Sequence, residues 1–226
     1  MTTKLTHLAC GLLLAAVAPR VWAAGQAPNY ELVVPRIAAP NIDGDITDLS
    51  WTEASQKNGK IVIDLNNEAK FRVPLPRIAY LGYDQEALYL CIINFCADPA
   101  KLVAAGAGHF WNGDDMEVFI QPDLRNDGFT QVAVTPDGVV CGKDYDQVPR
   151  DRQLVRAASA KSDLRWMVEL AIPYRFLGVP PPKPGDRWGL NLSGRQHGGA
   201  SGWLSWNPTY GNFTDPQRFA TIVFGK

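Results

Sequence analysis

Soft and imidazole metal ligands are scarce in this chain: three histidines, three methionines and four cysteines among 226 residues. Two of the histidines, His109 and His197, lie past residue 24, too few for a multi-histidine transition-metal site. No Gly-x-Ser-x-Gly elbow, phosphate-cradling glycine loop or His–Cys pairing is present, which removes the common hydrolase and nucleotide-binding signatures. Basic residues do not exceed acidic ones, 22 against 23. That balance argues against nucleic-acid and anionic-membrane partners, which favour a basic stripe. No apolar run approaches the roughly 20 residues of a membrane span.

The residues at the start read as a targeting segment. Lys4 supplies a weak positive charge, Leu8–Ala18 is a short apolar run, and Val21-Trp22-Ala23 is acceptable to a signal peptidase. We therefore expect a signal peptide over 1–23 and a secreted or periplasmic domain over 24–226, carrying a net charge of about −3. Cys10 lies towards the beginning of the apolar run instead of after it, so it is not read as a lipidated cysteine. Cys91, Cys96 and Cys141 then remain, an odd set without metal spacing. Buried thiols are the simplest reading, and a Cys96–Cys141 or Cys91–Cys141 bridge stays open in an oxidising compartment.

What is abundant is punctuation. Seventeen prolines and twenty glycines interrupt the chain at short intervals, and strand-like runs fill the spaces between them. They include 30–37, 61–65, 77–83, 87–95, 116–121, 129–135, 138–141, 166–172, 188–195, 202–206 and 219–224. Many short strands with turn signals between them predict an all-β, antiparallel β-sandwich of the jelly-roll or immunoglobulin-like kind. Helical content is restricted to turns at 49–54, 99–104 and 174–177. The proline-rich 179–185 stretch reads as a stiff loop.

Side chains alternate across a strand. Met116, Val118 and Ile120 form an apolar set opposite Glu117, Phe119 and Gln121. Thr130, Val132 and Val134 oppose Gln131 and Ala133. Trp166, Val168, Leu170 and Ile172 oppose Met167, Glu169 and Ala171. Trp188, Leu190 and Leu192 oppose Asn191, Ser193 and Arg195. If these four strands pair in one sheet, their amides, carboxylates and single arginine make one sheltered polar face. An ordinary solvated face is the alternative.

Several blocks occur in a recognisable order. They are Ile42-Asp43-Gly44-Asp45 with Trp51, Ala87-Leu88-Tyr89-Leu90, Trp111-Asn112-Gly113-Asp114-Asp115-Met116-Glu117, Trp166–Pro173, Trp188-Gly189-Leu190-Asn191 and Asp215–Phe219. From about Ile37 to Phe224 the chain resembles family 9 carbohydrate-binding modules. The resemblance implies a non-catalytic β-sandwich that grips a sugar end between two tryptophans, with polar side chains beneath. The first clamp residue corresponds to Trp111 and the main carboxylate to Glu117, with Gln131 beside them. Phe213 stands where the second tryptophan would be, Ala133 replaces an arginine, and Ser193 replaces a glutamine. Arg195 and Trp206 are candidate substitutes. The expected sugar site is thus Trp111, Glu117, Gln131, Asn191, Arg195, Trp206 and Phe213, with Trp51, Trp166 and Trp188 in the core. Plant-type polysaccharide or its oligosaccharides, a monomeric state and association with glycoside hydrolases follow from the same resemblance.

Other readings remain. Asp43, Asp45 and Asp48 crowd one turn and could hold a structural calcium, as related modules do, or simply form the turn. A glycosidase requires facing carboxylates, and Glu117 with Glu169 is the only candidate pair. A haem-binding sandwich would draw ligands from His109, Met116, Met167 and His197, although the two methionines fall on opposite faces. An interaction module without a small ligand is the remaining alternative.

Overall fold

A computed structural model describes residues 30–196 and 202–226. The expected signal peptide, the beginning of the expected domain and His197 lie outside the described residues. Among the described residues twelve strands form two sheets, and the strand elements agree with the sandwich expectation. The first sheet contains β1 (Glu31–Val34), β12 (Ala220–Phe224), β10 (Arg187–Gln196), β5 (Met116–Gln121), β6 (Thr130–Val134) and β7 (Val140–Cys141), in that order. Its further strand, β11 (Gly202–Ser205), pairs with the distal half of β10. The second sheet runs β2 (Lys60–Leu65), β3 (Arg72–Tyr83), β4 (Ala87–Phe95), β9 (Arg165–Pro173) and β8 (Arg156–Ser162). Pairing is antiparallel throughout except between β1 and β12.

Alternation sets the core. Met116, Val118, Ile120, Val132, Leu190 and Leu192 from the first sheet meet Leu88, Leu90, Ile92, Val168 and Leu170 from the second, in one apolar layer between the sheets. Trp166 and Trp188 are buried there as expected. Trp51 is also buried, but in a separate layer on the outer face of the second sheet, with Tyr89, Cys91, Ile93 and Met167. It is carried by helix α1 (Leu49–Gln56), whose Ser50, Trp51 and Ala54 face inward. The helix stops at Asn58 and Gly59; a Cβ at Gly59 would come within 2.4 Å of the Leu81 carbonyl. Helix α2 (Tyr174–Leu177) and a single turn at Pro99–Lys101 occupy the other two expected positions. Gly138 adopts positive φ in the Pro136-Asp137-Gly138 turn, a conformation that glycine reaches without steric cost.

Strand β8 is absent from the sequence expectation because its residues, Arg-Ala-Ala-Ser-Ala-Lys-Ser, show no apolar alternation. An edge strand pairs on one side only and tolerates such residues; β8 is bonded to β9 alone. β3 begins five residues earlier than expected despite Pro74 and Pro76. Both prolines fall where β2 register shifts between Ile63 and Leu65, and ahead of the β4 pairing that starts at Arg77, so neither is required as a ladder donor. Cys91, Cys96 and Cys141 are free and buried. Among the described residues, no helix is long and apolar enough to cross a membrane.

Candidate functional site

The outer face of the first sheet carries the candidate site. Register places Glu117 on β5 between Ala133 on β6 and Ser193 on β10, while Phe119 lies between Gln131 and Asn191. The two small neighbours leave space above the Glu117 carboxylate. Gln131 sits diagonally across and donates its Nε2 hydrogen to Glu117 Oε2. Its own Oε1 is buried without a protein partner. The pair forms the floor of a recess of about 200 Å³. Trp111 and Trp203 line this recess, together with Phe213, Lys143, Tyr145 and Asn212.

The acidic residues before β5 build the recess instead of lining it. Asp114 accepts the Val103 N–H at 2.7 Å, and its own N–H returns to the Val103 carbonyl at 2.7 Å. Gly113 makes this closure possible, since a Cβ there would lie 2.4 Å from that same carbonyl. Asp115 accepts the Arg195 N–H at 2.7 Å and thereby fixes the end of β10. Trp111 is held edge-on to His109 and Phe110, at ring separations of 5.3 and 5.1 Å, with the Lys143 ammonium 5.0 Å from its ring. Across the recess, β10–β11 pairing sets Trp203 opposite Arg195. The Arg195 guanidinium lies 5.0 Å from the Trp203 ring and donates to the Trp111 carbonyl at 3.4 Å. Arg195 therefore ties both walls together from the rim.

Electrostatics favour uncharged carboxyls at the floor. Burial raises the Glu117 carboxyl well above its ordinary range, and the nearby Asp115 adds to the rise; Gln131 and Arg77 oppose it. Burial raises Asp115 as well, against its Arg195 N–H bond and Arg77. Arg77 reaches this spot from β3, fully buried, and donates to the Asp115 and Arg195 carbonyls at 3.3 and 3.0 Å. Burial lowers its pKa to about 10, and the surrounding acids resist that fall. Gly194 leaves room for it, because a Cβ there would stand 2.6 Å from Arg77 Nη1.

The structure brings Trp111, Glu117, Gln131 and Phe213 together and keeps Arg195 at the rim. It corrects two other assignments. Trp206 is 7% exposed, belongs to the layer between the sheets, and stacks on Tyr30 at 6.1 Å; it does not reach the recess. Trp203 lies in β11 and Trp206 just past its end, an odd number of residues apart that reverses face in extended chain, so Trp203, 42% exposed, points outward where Trp206 packs inward. Asn191 is fully buried and spent on Asn207, whose carbonyl and N–H it binds at 2.9 and 3.0 Å. It clips down the loop that carries Phe213. That loop closes over an aromatic cluster of Phe119, Phe129, Phe213 and Phe219.

The expected single polar face is also corrected. β9 belongs to the second sheet, so Glu169 lies on the opposite side of the molecule and cannot face Glu117 across a cleft. Met116 sits between the sheets and Met167 outside the second one, which removes a shared axial pair. Asp43 and Asp45 accept the Asp45 and Thr47 N–H groups at 2.9 and 3.0 Å, and Asp48 accepts that of Asn41 at 2.7 Å. Among the described residues no three His, Cys, Asp or Glu side chains group as a metal site. Trp203 and Trp206 share a Gly-rich, Asn-Pro-bounded stretch in which the sequence leaves ligand contact open; the other recess residues outside the expected set, Phe110, Lys143, Tyr145, Asn212 and Thr214, come from loops and a short helical turn without alternation. The exposed Trp203 beside Gly202 was the one legible signal.

No protein-family model and no curated sequence matches the chain. Solved structures do match in fold. A family 9 carbohydrate-binding module from Caldicellulosiruptor kristjanssonii, in complex with cellotriose, superposes with a TM-score of 0.62 at 14% identity, covering 87% of this chain and 94% of that one. The same module in complex with glucose gives 0.62 at 14% identity, over 87% and 96% of the two chains. A Bacteroides uniformis protein provisionally named carbohydrate-binding gives 0.63 at 15% identity, over 86% and 99%. The two-sheet sandwich of this chain is thus the fold of these proteins.

Proposed function

We propose that this protein is a secreted or periplasmic, non-catalytic carbohydrate-binding module that receives a neutral sugar ring in the recess between Trp111 and Trp203. The observation that carries the reading is the buried Glu117–Gln131 pair set between two tryptophans. A pyranose presents apolar C–H faces and hydroxyl edges, so its binder needs flat aromatic surface and oriented polar partners. The unpartnered Gln131 Oε1 accepts from a sugar hydroxyl, and the Glu117 carboxyl beside it supplies a second hydrogen-bonding group. At about 200 Å³ the recess is smaller than the roughly 300–1,000 Å³ of drug-sized sites, in keeping with a single ring. Trp203 supplies the second indole that the position of Phe213 lacks. The fold shared with the cellotriose- and glucose-bound module supports the same reading. We place the protein beside glycoside hydrolases in the catabolism of plant-type polysaccharide, acting as a monomer.

A glycan array followed by calorimetry against glucose, xylose and their cello- and xylo-oligosaccharides is the direct trial. Binding that is weakened about tenfold in both Trp111→Ala and Trp203→Ala is the expected result. Absence of binding to every glycan, or binding indifferent to both substitutions, overturns the reading.

A further inference from the structure

A second and larger recess, about 500 Å³, opens beside the first. Phe71 and Glu68 line it from the segment joining β2 to β3, and Gly211 from the loop after β11. Trp203, Asn212 and Phe213 line both recesses, so the two are compartments of one groove sharing a wall. Its polar side chains are already engaged. Asn67 donates to the Gly211 carbonyl at 2.7 Å and accepts from Thr209 N–H and Oγ1 at 2.9 and 3.0 Å. Asn66 Oδ1 accepts the Lys70 and Phe71 N–H groups, and Glu68 pairs with Lys70. What remains for a ligand is ring surface: Phe71, half exposed, with Trp203 and Phe213.

We propose that this second recess is a subsite for the neighbouring unit or units of a neutral oligosaccharide whose end occupies the first recess, an inference that rests on the sugar-binding reading above. The first recess supplies directional acceptors; the second supplies aromatic surface for the C–H face of the next ring. The occupant is neutral because the charged group in the lining of the second recess is the Glu68 carboxylate, with no cation among the described residues of that lining to receive a uronate. The volume lies within the range of small-molecule sites.

Gly211 allows a steric test, because it lines the second recess and not the first. A Cβ built there meets nothing within 4 Å, so a larger side chain adds bulk at the recess wall without a backbone clash. Calorimetry compares glucose, cellobiose and cellotriose, and the corresponding xylose series, on the full chain and on the Gly211→Leu and Phe71→Ala variants. We expect affinity to rise about threefold to tenfold from monosaccharide to trisaccharide in the unsubstituted protein, the order of one aromatic stacking contact. Both variants should abolish the rise and leave monosaccharide affinity unchanged. Monosaccharide binding with no gain in either series, or a gain that persists in Gly211→Leu, overturns the second subsite and leaves the first standing. Failure of every glycan to bind overturns both.

Discussion

Glu117 and Glu169 occupy equivalent-looking positions: each is a carboxylate on the side of an internal strand opposite an apolar row, and each is buried. Their surroundings differ. Glu169 accepts from Trp51 Nε1 and Gly44 N–H at 2.7 Å and from Asp43 N–H at 3.2 Å. Burial raises its pKa, and these three donors oppose the rise. It joins the Asp43–Asp48 turn and the helix carrying Trp51 to the second sheet. Glu117 receives one side-chain donor, Gln131, whose remaining oxygen is unpartnered, and it faces a recess. A saturated buried carboxylate is a structural tie, whereas an undersatisfied one beside an opening is suited to bind.

Substitutions should separate the two regions. The largest effect is expected at Trp206, where truncation to alanine removes a core indole and costs about 3–5 kcal/mol in denaturant unfolding. Trp203→Ala should instead leave stability within about 0.5 kcal/mol and weaken sugar binding about tenfold. A reversed pattern would put Trp206, not Trp203, at the site. Glu169→Ala strands three donors and should cost about 3 kcal/mol; an unchanged melting temperature would show that the turn is held by other contacts.

Glu117→Gln is predicted to lower sugar affinity about tenfold without loss of stability at neutral pH, because burial already favours the uncharged carboxyl that the amide imitates. If calorimetry finds affinity unaltered, the contrast between the two carboxylates collapses. The smallest effect concerns pH. Burial raises both Glu117 and Asp115 above their ordinary values of 4.5 and 3.8, so the folded protein holds these protons more tightly than the unfolded chain. Their stabilising contribution is complete below the ordinary values and declines as pH rises through the raised ones. Urea titrations from about pH 5 to pH 8 should show this decline, and Glu117→Gln should flatten it. An identical slope in the variant would sink the assignment.

Much of the framework was legible from residues alone. Period-two alternation in β5, β6, β9 and β10 identified the apolar faces because each is an internal strand with one row against the core. The Trp111–Glu117 block located one wall and the floor. The remainder was hidden by residues whose roles are not periodic. β8 carries no apolar pattern because an edge strand buries little, and Asn191 reads like a binding amide until Asn207 is seen beside it. Trp203 and Trp206 differ only in which side of the chain they leave.

Composition and alternation by themselves determined that this is a sandwich of short strands and which side of each strand turns inward, since both follow from local sterics and the burial of apolar area. They could not determine which sheet receives a given strand. Pairing is a contact between segments far apart in the chain, as when β5 takes β10 and β6 while β9 takes β4 and β8. Only the tertiary structure decided that Glu117 faces the Trp111–Trp203 recess and that Glu169 lies sealed beneath Trp51.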